Sequence, residues 1–557
     1  MRVSRFLHCR VCGRLALAAV LAAAATAAAS GDGRKFYDDD PIAREPETQD
    51  ASRAEPWEID LFFDLAYNLF ARPGADEQGV RAQNVNTIDE VPDSSWFTNR
   101  IYARPVSIEE LVRGPNTMDG PARGPWTIIR PKPAGTAPGF VVRDVKGEVW
   151  FVSLDARGYP EAATGAVMVA TRLFWALGYN QVESYLTTFR PEDLVIGESA
   201  RVTPPSGRRR PMRRSDVDAV LAQAARLPDG SYRALAGRAV PGKILNGFKF
   251  HGTRPDDPND VVPHQHRREL RALKVFGAWT NLVDMKAGNT LDTVVTENGR
   301  GIVRHYLQDV GSTFGVAALG PHDWDEGYEH FYESGPLVKR LFSLGFYLRP
   351  WQTADYREYP AIGRFEGEVF DPETWKAHAP VAAVLCARDD DTFWAALRVK
   401  AFTDEMIRVA VKAGEYSDPA AERHLADVLI KRRDRIASVY LRKLNPLVRP
   451  ALDAGGVLTF ENAVVTAGVG SEPAGGYRAA WFSFDNWTGA TTAIGEPTSG
   501  REGRIQAPAS LPAADGTFIK VEVSAVDPPV PAWKAPVSLY FRRTGAAWRL
   551  VGLERTP

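Results

Sequence analysis

The residues best suited to chemistry lie in one short stretch, NLVDMKAGNTLD, at 281–292. It brings the carboxylate of Asp284, the ammonium of Lys286 and the amide of Asn289 within six residues of one another. A carboxylate can accept or orient the proton of a hydroxyl group, and carboxylate and amide oxygens are the ligands that hard divalent cations take. The stretch therefore indicates proton handling beside a metal ion, if a second acidic residue lies close to Asn289.

Two elements position these residues. HRRELRALKVFGAWTNLV, at 266–283, has apolar residues at helical spacing and predicts an amphipathic helix that leads into the stretch. TLDTVVTE and IVRHYLQD flank the turn NGRG at 298–301, a pattern that predicts a β-hairpin. Because a hairpin reverses the chain, we expect it to bring Asp309, the first residue of an Asp-Val-Gly motif, back beside Asn289.

This order of elements resembles the catalytic half of the protein-kinase-like fold, in which Asp-x-Lys-x-x-Asn is followed, one hairpin later, by Asp-Phe-Gly. The resemblance implies that Asp284 is the catalytic base and that Lys286 contacts the phosphoryl group in transfer. It also implies that Asn289 and Asp309 bind Mg²⁺ in an ATP-dependent phosphotransferase. The chain is more similar to the atypical HipA, CotH and secretory-pathway kinase group than to ordinary protein kinases. Across its whole length, including DEVPDSSWFTNR at 89–100, it also resembles a family of exported bacterial proteins.

The upstream block, 126–250, has the element order of a kinase small lobe. WTIIR, FVVRDV and EVWFVSLD predict three strands, and Pro160 opens a predicted helix that ends at Gly178. Between the first two strands lies PKPAGTAPG, a Gly- and Pro-rich loop at 131–139. By the same resemblance this loop covers the nucleotide phosphates. Its candidate cofactor-binding residues are Lys132, Gly135, Thr136 and Gly139.

Two charged residues of a working kinase are missing from this block. The third small-lobe strand normally carries a Lys that holds the phosphates and pairs with a helix Glu. The corresponding positions here are Ser153 and Val167. Lys132, or alternatively Lys146 in the following turn, could take over the contact with the phosphates, although a solvated loop lysine is the simpler interpretation of Lys132. Glu161 could pair with such a lysine, or simply complement the dipole of the helix that follows it.

The N-terminus predicts export. Four Arg residues precede LALAAVLAAAATAAAS, an apolar run at 15–30 that is followed by the polar segment GDGRKFYDDD. This pattern is typical of a secretory signal peptide over residues 1–30, and we expect no membrane-spanning segment after its cleavage. The expected location is therefore periplasmic or extracellular. Cys386 is the only cysteine beyond the leader, so we expect no internal disulfide.

Length and pattern divide the remaining chain into four parts. The composition, 44% hydrophobic and 25% charged, is typical of globular proteins, and 557 residues exceed one compact domain. After Pro450, short alternating segments separated by Gly, Pro and Ser predict a small all-β sandwich. The expected fold class is α+β, a two-lobed kinase-like domain with an N-terminal extension and a C-terminal β-sandwich. The expected boundaries are 31–125 for the extension, 126–250 for the small lobe, 251–450 for the helical large lobe and 455–557 for the sandwich.

Two functions are compatible with these residues. The first is an exported kinase-like protein with atypical or impaired phosphoryl transfer from ATP with Mg²⁺. The second is a catalytically dead kinase fold that serves as an envelope binding or assembly module through its β-sandwich. The acceptor would be a protein or a glycan, and a net charge of −1 gives no reason to expect nucleic acid. Asp284, Asn289 and Asp309 favour the first function, whereas the missing Lys–Glu pair favours the second.

Overall fold

The computed structural model describes residues 33–132, 136–204, 207–344 and 346–555, except for the side chains of Leu337 and Pro350. The predicted signal peptide at 1–30 lies outside these residues. The described chain combines helices with several β-sheets, so its fold class is α+β, as expected. Within the described residues, no helix is both long enough and apolar enough to cross a membrane.

Most of the helices lie in the middle of the chain, where one of them leads into the Asp-x-Lys-x-x-Asn loop. The α-helices of the described residues are α1 (Leu61–Ala66), α2 (Ile108–Arg113), α3 (Ala162–Leu177), α4 (Arg214–Leu221), α5 (Arg268–Arg271), α6 (Leu273–Thr280), α7 (Ser334–Phe342), α8 (Ala382–Leu385), α9 (Asp389–Lys400), α10 (Asp404–Lys412), α11 (Pro419–Tyr440) and α12 (Ala463–Thr466). Helix α6 packs against α9 and α11, so the helix before the loop lies inside the helical region.

A six-stranded sheet precedes the helical region. The strands of this part are β1 (Trp126–Pro131), β2 (Gly139–Arg143), β3 (Val149–Leu154), β4 (Ser184–Phe189), β5 (Leu194–Ile196), β6 (Arg201–Val202), β7 (Arg210–Pro211) and β8 (Tyr232–Arg238). The sheet order is β4-β8-β3-β2-β1-β5, and β6 and β7 form a separate two-stranded ladder. Neighbouring strands of the sheet are antiparallel except β1 and β5, which are parallel.

Helix α3 lies against this sheet and begins on a buried carboxylate. Asp155, just after β3, accepts the backbone N–H groups of Glu161 and Thr164 at 3.0 and 2.8 Å and the Thr164 hydroxyl at 2.8 Å. These bonds satisfy donors at the start of a helix that would otherwise be unpaired in a buried site. The other face of the sheet has a core of its own, closed by Val217 and Leu221 of α4.

The hairpin predicted after the Asp-x-Lys-x-x-Asn loop is present. The strands that follow β8 are β9 (Lys243–Ile244), β10 (Thr290–Glu297), β11 (Arg300–Leu307), β12 (Val316–Ala317) and β13 (Gly320–Pro321). The β10–β11 register runs without a bulge from the pair Thr290–Leu307 to the turn. At the turn Asn298 and Gly299 have φ values of 50° and 77°, a left-handed conformation that Asn and Gly adopt readily.

The C-terminal region contains two antiparallel sheets. Its strands are β14 (Leu447–Leu452), β15 (Val457–Asn462), β16 (Tyr477–Phe484), β17 (Thr491–Ala493), β18 (Thr498–Gly500), β19 (Arg504–Gln506), β20 (Phe518–Ala525), β21 (Val537–Thr544) and β22 (Ala547–Arg555). One sheet has the order β14-β15-β19, and β16 to β18 and β20 to β22 form the other. The segment VLTFENAVV, at 457–465, predicts a strand over its whole length. This prediction was wrong after Asn462, because the side chain of Asn462 accepts the N–H groups of Val464 and Val465 and starts α12.

One hydrophobic core continues from the helices into the C-terminal sheets and includes Trp481 of β16. Arg555, at the end of β22, places its guanidinium 4.8 Å from the centre of the Phe393 ring in α9. The same guanidinium donates to the backbone carbonyls of Asn445 and Leu447 at 2.8 and 2.6 Å. The last strand therefore contributes directly to the packing of the helical region.

WEIDLFFDLAYNLF, at 57–70, has apolar residues at helical spacing and predicts a helix, which is shorter in the structure. It begins at Leu61 because the carboxylate of Asp60 accepts the N–H groups of Phe62 and Phe63, both at 3.0 Å. After Ala66 the chain widens into a π-helical turn, Tyr67–Ala71.

The helix predicted at 266–283 is divided, and its first part is held by buried charges. Arg267 has extended backbone, so α5 begins only at Arg268. Asp391 of α9 accepts hydrogen bonds from Arg268 Nε at 2.9 Å and from Arg271 Nη1 at 3.0 Å. Arg268 also pairs with Asp89 of the N-terminal extension at 2.9 Å. The side chains of Arg268, Arg271 and Asp391 are fully buried, so a buried charge cluster joins three segments of the chain: α5, α9 and the N-terminal extension.

We predict that Asp391→Asn lowers the free energy of unfolding by about 3–5 kcal/mol, because it leaves two buried guanidiniums without their shared charge. Urea unfolding followed by tryptophan fluorescence measures this loss. The matched control is Asp427→Asn, which breaks the exposed 3.0 Å pair with Arg408 and should cost about 1 kcal/mol or less. Equal losses in the two variants would contradict the assigned role of Asp391.

Candidate functional site

The Asp-x-Lys-x-x-Asn loop begins where α6 ends. Asn281 follows α6 with φ of 57°, a left-handed conformation that stops the helix. The next two residues are buried, and the carbonyl of the second, Val283, accepts the N–H of His378 at 2.9 Å. A single 3₁₀ turn, Ala287–Asn289, then leads directly into β10. The loop is therefore fixed at both ends by backbone structure.

Asp284 sits inside a set of donors from its own loop. Its Oδ2 atom accepts from Lys286 Nζ at 2.7 Å and from the Asn289 side-chain amide at 3.0 Å. The same amide donates to the Asp284 backbone carbonyl at 2.8 Å. Burial raises the pKa of Asp284, but the nearby His378 imidazole and the hydrogen bonds from Lys286 and Asn289 outweigh it and hold the pKa well below its usual range. The carboxylate is therefore ionised at neutral pH.

The structure brings the backbones of Asn289 and Asp309 together. The N–H of Asp309 donates to the carbonyl of Asn289 at 3.0 Å, and the N–H of Gln308 donates to the same carbonyl at 3.1 Å. These bonds continue the β10–β11 ladder by one step, which is why the hairpin returns the chain to this point. The Asp309 carboxylate is steadied by the N–H of Gly311, which donates to Oδ1 at 3.0 Å.

The candidate residues of the Gly- and Pro-rich loop fall in different environments. Lys132 is half-buried, and burial lowers its pKa while the negative charge of Asp309 opposes that shift. Thr136 is exposed, and Gly135 lies outside the described residues. Gly139 is buried within β2, where a Cβ atom would lie 2.1 Å from the carbonyl oxygen of Val152. The absence of a side chain at Gly139 is therefore explained by strand packing.

Helix α3 reaches the Asp-Val-Gly segment through Val167. A Cβ atom on Gly311 would lie 2.9 Å from Val167 Cγ2, so the helix passes close to Asp309. Ser153 lies in β3, opposite Gly139. Glu161, at the start of the same helix, accepts the N–H of Ser417 at 2.8 Å and so links this part of the chain to the residues before α11.

Two further residues of the site were not found by sequence reasoning. His378 Nδ1 lies 3.7 Å from Asp284 Oδ1, and His378 Nε2 lies 2.7 Å from Glu326 Oε2. The ring of Phe331 stacks on the imidazole, with centroids 4.2 Å apart. His378 and Glu326 are far from Asp284 in sequence and form no motif with it, so no local signal was available.

A second cluster of ligand-type residues, away from Asp284, is occupied by its own hydrogen bonds. Glu77, His266 and Cys386 have ligand atoms within 4.8 Å of one another. Arg271 lies 2.7 Å from His266 Nδ1, and because a guanidinium can only donate, Nδ1 is the acceptor and Nε2 carries the proton. That proton points to Glu77 at 2.7 Å, and burial raises the pKa of Cys386 to about 11. A protonated imidazole nitrogen and a protonated thiol are poor metal ligands, so the cluster does not fit a metal.

No protein-family model and no curated protein matches this chain. Among solved structures, two that match are crystal structures of the Golgi casein kinase, one of them with Mn/ADP bound. Both are 12% identical to this chain with a TM-score of 0.28, and the match covers 72% of this chain and 96% and 97% of theirs. At this identity and TM-score neither structure bears on the function of this chain.

We predict that Gly311→Ala destabilises the protein by about 1–3 kcal/mol, because the new methyl group meets Val167. Gly311 does not have a positive φ, so the cost reports the contact and not backbone strain. Combining it with Val167→Ala should recover at least about 0.5 kcal/mol in a double-mutant cycle measured by urea unfolding. Gly79→Ala is the control, since its Cβ would meet open space. If the free-energy changes of Gly311→Ala and Val167→Ala were strictly additive, the two residues would not be in contact, and α3 would not lie against Gly311.

Proposed function

We propose that the chain is an exported kinase-like protein with atypical or impaired phosphoryl transfer. The six-stranded sheet with α3 would form the small lobe, and helices α5 to α11 the large lobe. The observation that carries this proposal is the pairing of Asn289 with Asp309 through a 3.0 Å backbone hydrogen bond, directly beside the Asp284 carboxylate. A carboxylate next to two oxygen-bearing side chains on adjacent segments is the arrangement that metal-assisted phosphoryl transfer needs.

The side chains of Asn289 and Asp309 each leave one oxygen atom that could bind a divalent cation. Asn289 uses its amide nitrogen on Asp284, which leaves its amide oxygen for a cation. Asp309 uses Oδ1 on Gly311, which leaves Oδ2. Two oxygen donors suit Mg²⁺ or Mn²⁺, which complete their coordination with water and phosphate oxygens. When bound, ATP with such an ion would supply the phosphoryl group.

Each residue then has a defined task. Asp284, held ionised by its own loop, would orient the acceptor hydroxyl and take its proton. Lys286 lies within reach of the same carboxylate and would turn to the transferring phosphoryl group when substrate is present. Lys132, whose pKa responds to the charge of Asp309, would hold the phosphates in place of the lysine that is missing at Ser153.

A second candidate function is a catalytically dead kinase fold that binds or assembles partners in the cell envelope. One observation favours it: Val167 brings an apolar side chain to Gly311, at the position where a kinase has the Glu that pairs with its strand lysine. In this case the C-terminal sheets, as a β-sandwich, would supply recognition. Loss of one preorganised donor typically lowers the rate by about a hundredfold to a thousandfold, so a weak enzyme and an inactive one are separated only by measurement.

The proposed location is the periplasm or the extracellular space, supported by the basic and apolar leader at 1–30. The acceptor would be a protein or a glycan hydroxyl, since the net charge of −1 gives no attraction to nucleic acid.

We predict that Mn²⁺ or Mg²⁺ together with ATP raises the melting temperature of residues 31–557, and that Asp309→Ala abolishes the rise. Ligand at a hundred times its Kd adds about 2.7 kcal/mol, which is a rise of a few degrees for a chain of this size. Metal alone and ATP alone are the reference arms, and Asp39→Ala, an exposed acid, is the matched control. A chain that shows no shift with any nucleotide is not a kinase-like enzyme.

If nucleotide binds, transfer of radiolabelled phosphate to the protein itself or to a generic acceptor should disappear in Asp284→Ala while the thermal shift is retained. Transfer that persists in this variant would show that another group is the base.

A gain of function tests the alignment of the small lobe. Ser153→Lys combined with Val167→Glu restores the missing ion pair and should raise nucleotide affinity, measured by titration calorimetry, by about tenfold or more. Val167→Glu alone should not, because its charge would be left half-buried and unpaired. Unchanged affinity in the double variant would mean that Ser153 does not face the phosphates.

A further inference from the structure

The position of His378 is fixed by two backbone hydrogen bonds. Its N–H donates to the carbonyl of Val283 at 2.9 Å, and its own carbonyl accepts the N–H of Phe331 at 2.8 Å. These two bonds hold the residue between the segment that enters the Asp-x-Lys-x-x-Asn loop and the segment before α7. The Phe331 ring covers one face of the imidazole, which leaves the two ring nitrogens as its polar contacts.

Those nitrogens point to two different carboxylates. Nε2 is 2.7 Å from Glu326 Oε2, a hydrogen-bond distance. Nδ1 is 3.7 Å from Asp284 Oδ1, which is an ion-pair distance but too long for a hydrogen bond. Because Lys286 and Asn289 both bind Oδ2, Oδ1 is the oxygen of Asp284 left for an acceptor hydroxyl. His378 is thus the cationic group beside the free oxygen.

The other titratable groups around His378 do not remove this charge. His322, whose ring centre is 6.4 Å away, is neutral because burial lowers its pKa to about 4, and its Nε2 contacts the Ser312 hydroxyl at 2.9 Å. Lys376 is paired with Glu333 at 2.7 Å. Burial by itself would lower the pKa of His378, but the adjacent Asp284 carboxylate and the hydrogen bond to Glu326 outweigh this and raise the pKa above the ordinary value.

We propose that His378 is the positioning residue of the phosphoryl-transfer site, an imidazolium anchored by Glu326 that orients the Asp284 carboxylate toward the acceptor hydroxyl. The catalytic role of His378 rests on the proposed function. The electrostatic coupling of His378 to Asp284 and Glu326 does not depend on it. Kinase-like catalytic loops carry a histidine just before the motif, whereas Leu282 and Val283 stand here, so an imidazole from a distant segment occupies the neighbourhood of the base.

This electrostatic coupling is tested without any activity. In protein labelled with ¹³C-histidine, the His378 signal, assigned by its loss in His378→Gln, should titrate above about 6.5. Glu326→Gln and Asp284→Asn should each lower that pKa by about 1–3 units, because each removes an adjacent negative charge. A His378 pKa that neither substitution moves would overturn the proposal.

The role in catalysis is tested by kinetics. His378→Gln should lower kcat for phosphate transfer about tenfold to a hundredfold, as is typical for groups that orient a reacting residue, with KM for ATP within about twofold of the wild type. In Glu326→Gln, which keeps the imidazole, the fall in kcat on the alkaline side should move to lower pH with the lowered pKa of His378. A merely structural role for His378 would leave this pH profile unmoved.

His424→Gln is the matched control, a half-buried histidine that packs on Tyr359 and should leave kcat unchanged. An unchanged kcat in His378→Gln, or an equal loss in the control, would refute the positioning role. A wild-type protein that transfers no phosphate would instead refute the proposed function, and the histidine titration would still decide whether His378 is coupled to Asp284.

Discussion

The buried carboxylate of Asp391 is the interaction on which the position of the site depends. It binds both arginines of α5, and α5 leads through α6 to the loop that carries Asp284. Arg268 extends the same charge cluster to Asp89 of the N-terminal extension. Inside a protein such a cluster is costly unless each charge is paired, so the three segments are held in one relative arrangement and not merely in contact. The start of the loop that carries Asp284 is therefore held in a fixed position as well.

The sheet is held to the helices by a smaller set of polar contacts. Asp155 starts α3, and Arg233 of β8, which lies 3.9 Å from Asp155, donates to the backbone carbonyl of Glu415 at 2.8 Å. Glu161 accepts the N–H of Ser417 in the same segment. These bonds fix the start of α3 relative to the helices, and the rest of α3 then carries Val167 to the Asp-Val-Gly segment. The side of the site that faces Lys132 is therefore set by the sheet, and the side of Asp284 by the helices.

The parts of the site that sequence patterns could predict are those made by short-range structure. The neighbouring backbones of Asn289 and Asp309 follow from a hairpin with matched strands and a turn suited to left-handed φ values. His378 could not be predicted, because its place is set by a backbone hydrogen bond to Val283, a residue far from it in sequence. The buried ion pairs of Asp391 could not be predicted either, because acidic residues at the start of a helix are usually exposed to solvent. The residues after Asn462 show an error of a different kind. Their apolar pattern continues that of the preceding strand and predicted more strand, but the side chain of Asn462 caps a helix there.

The contact of Arg555 with Phe393 has a consequence for the cooperativity of folding. Arg555 of β22 packs on a ring of α9, and its guanidinium also donates to the carbonyls of Asn445 and Leu447. The core beneath this contact continues from the helices into the C-terminal sheets. Because the two regions share that core, neither can complete its packing without the other, and we expect them to unfold in a single transition.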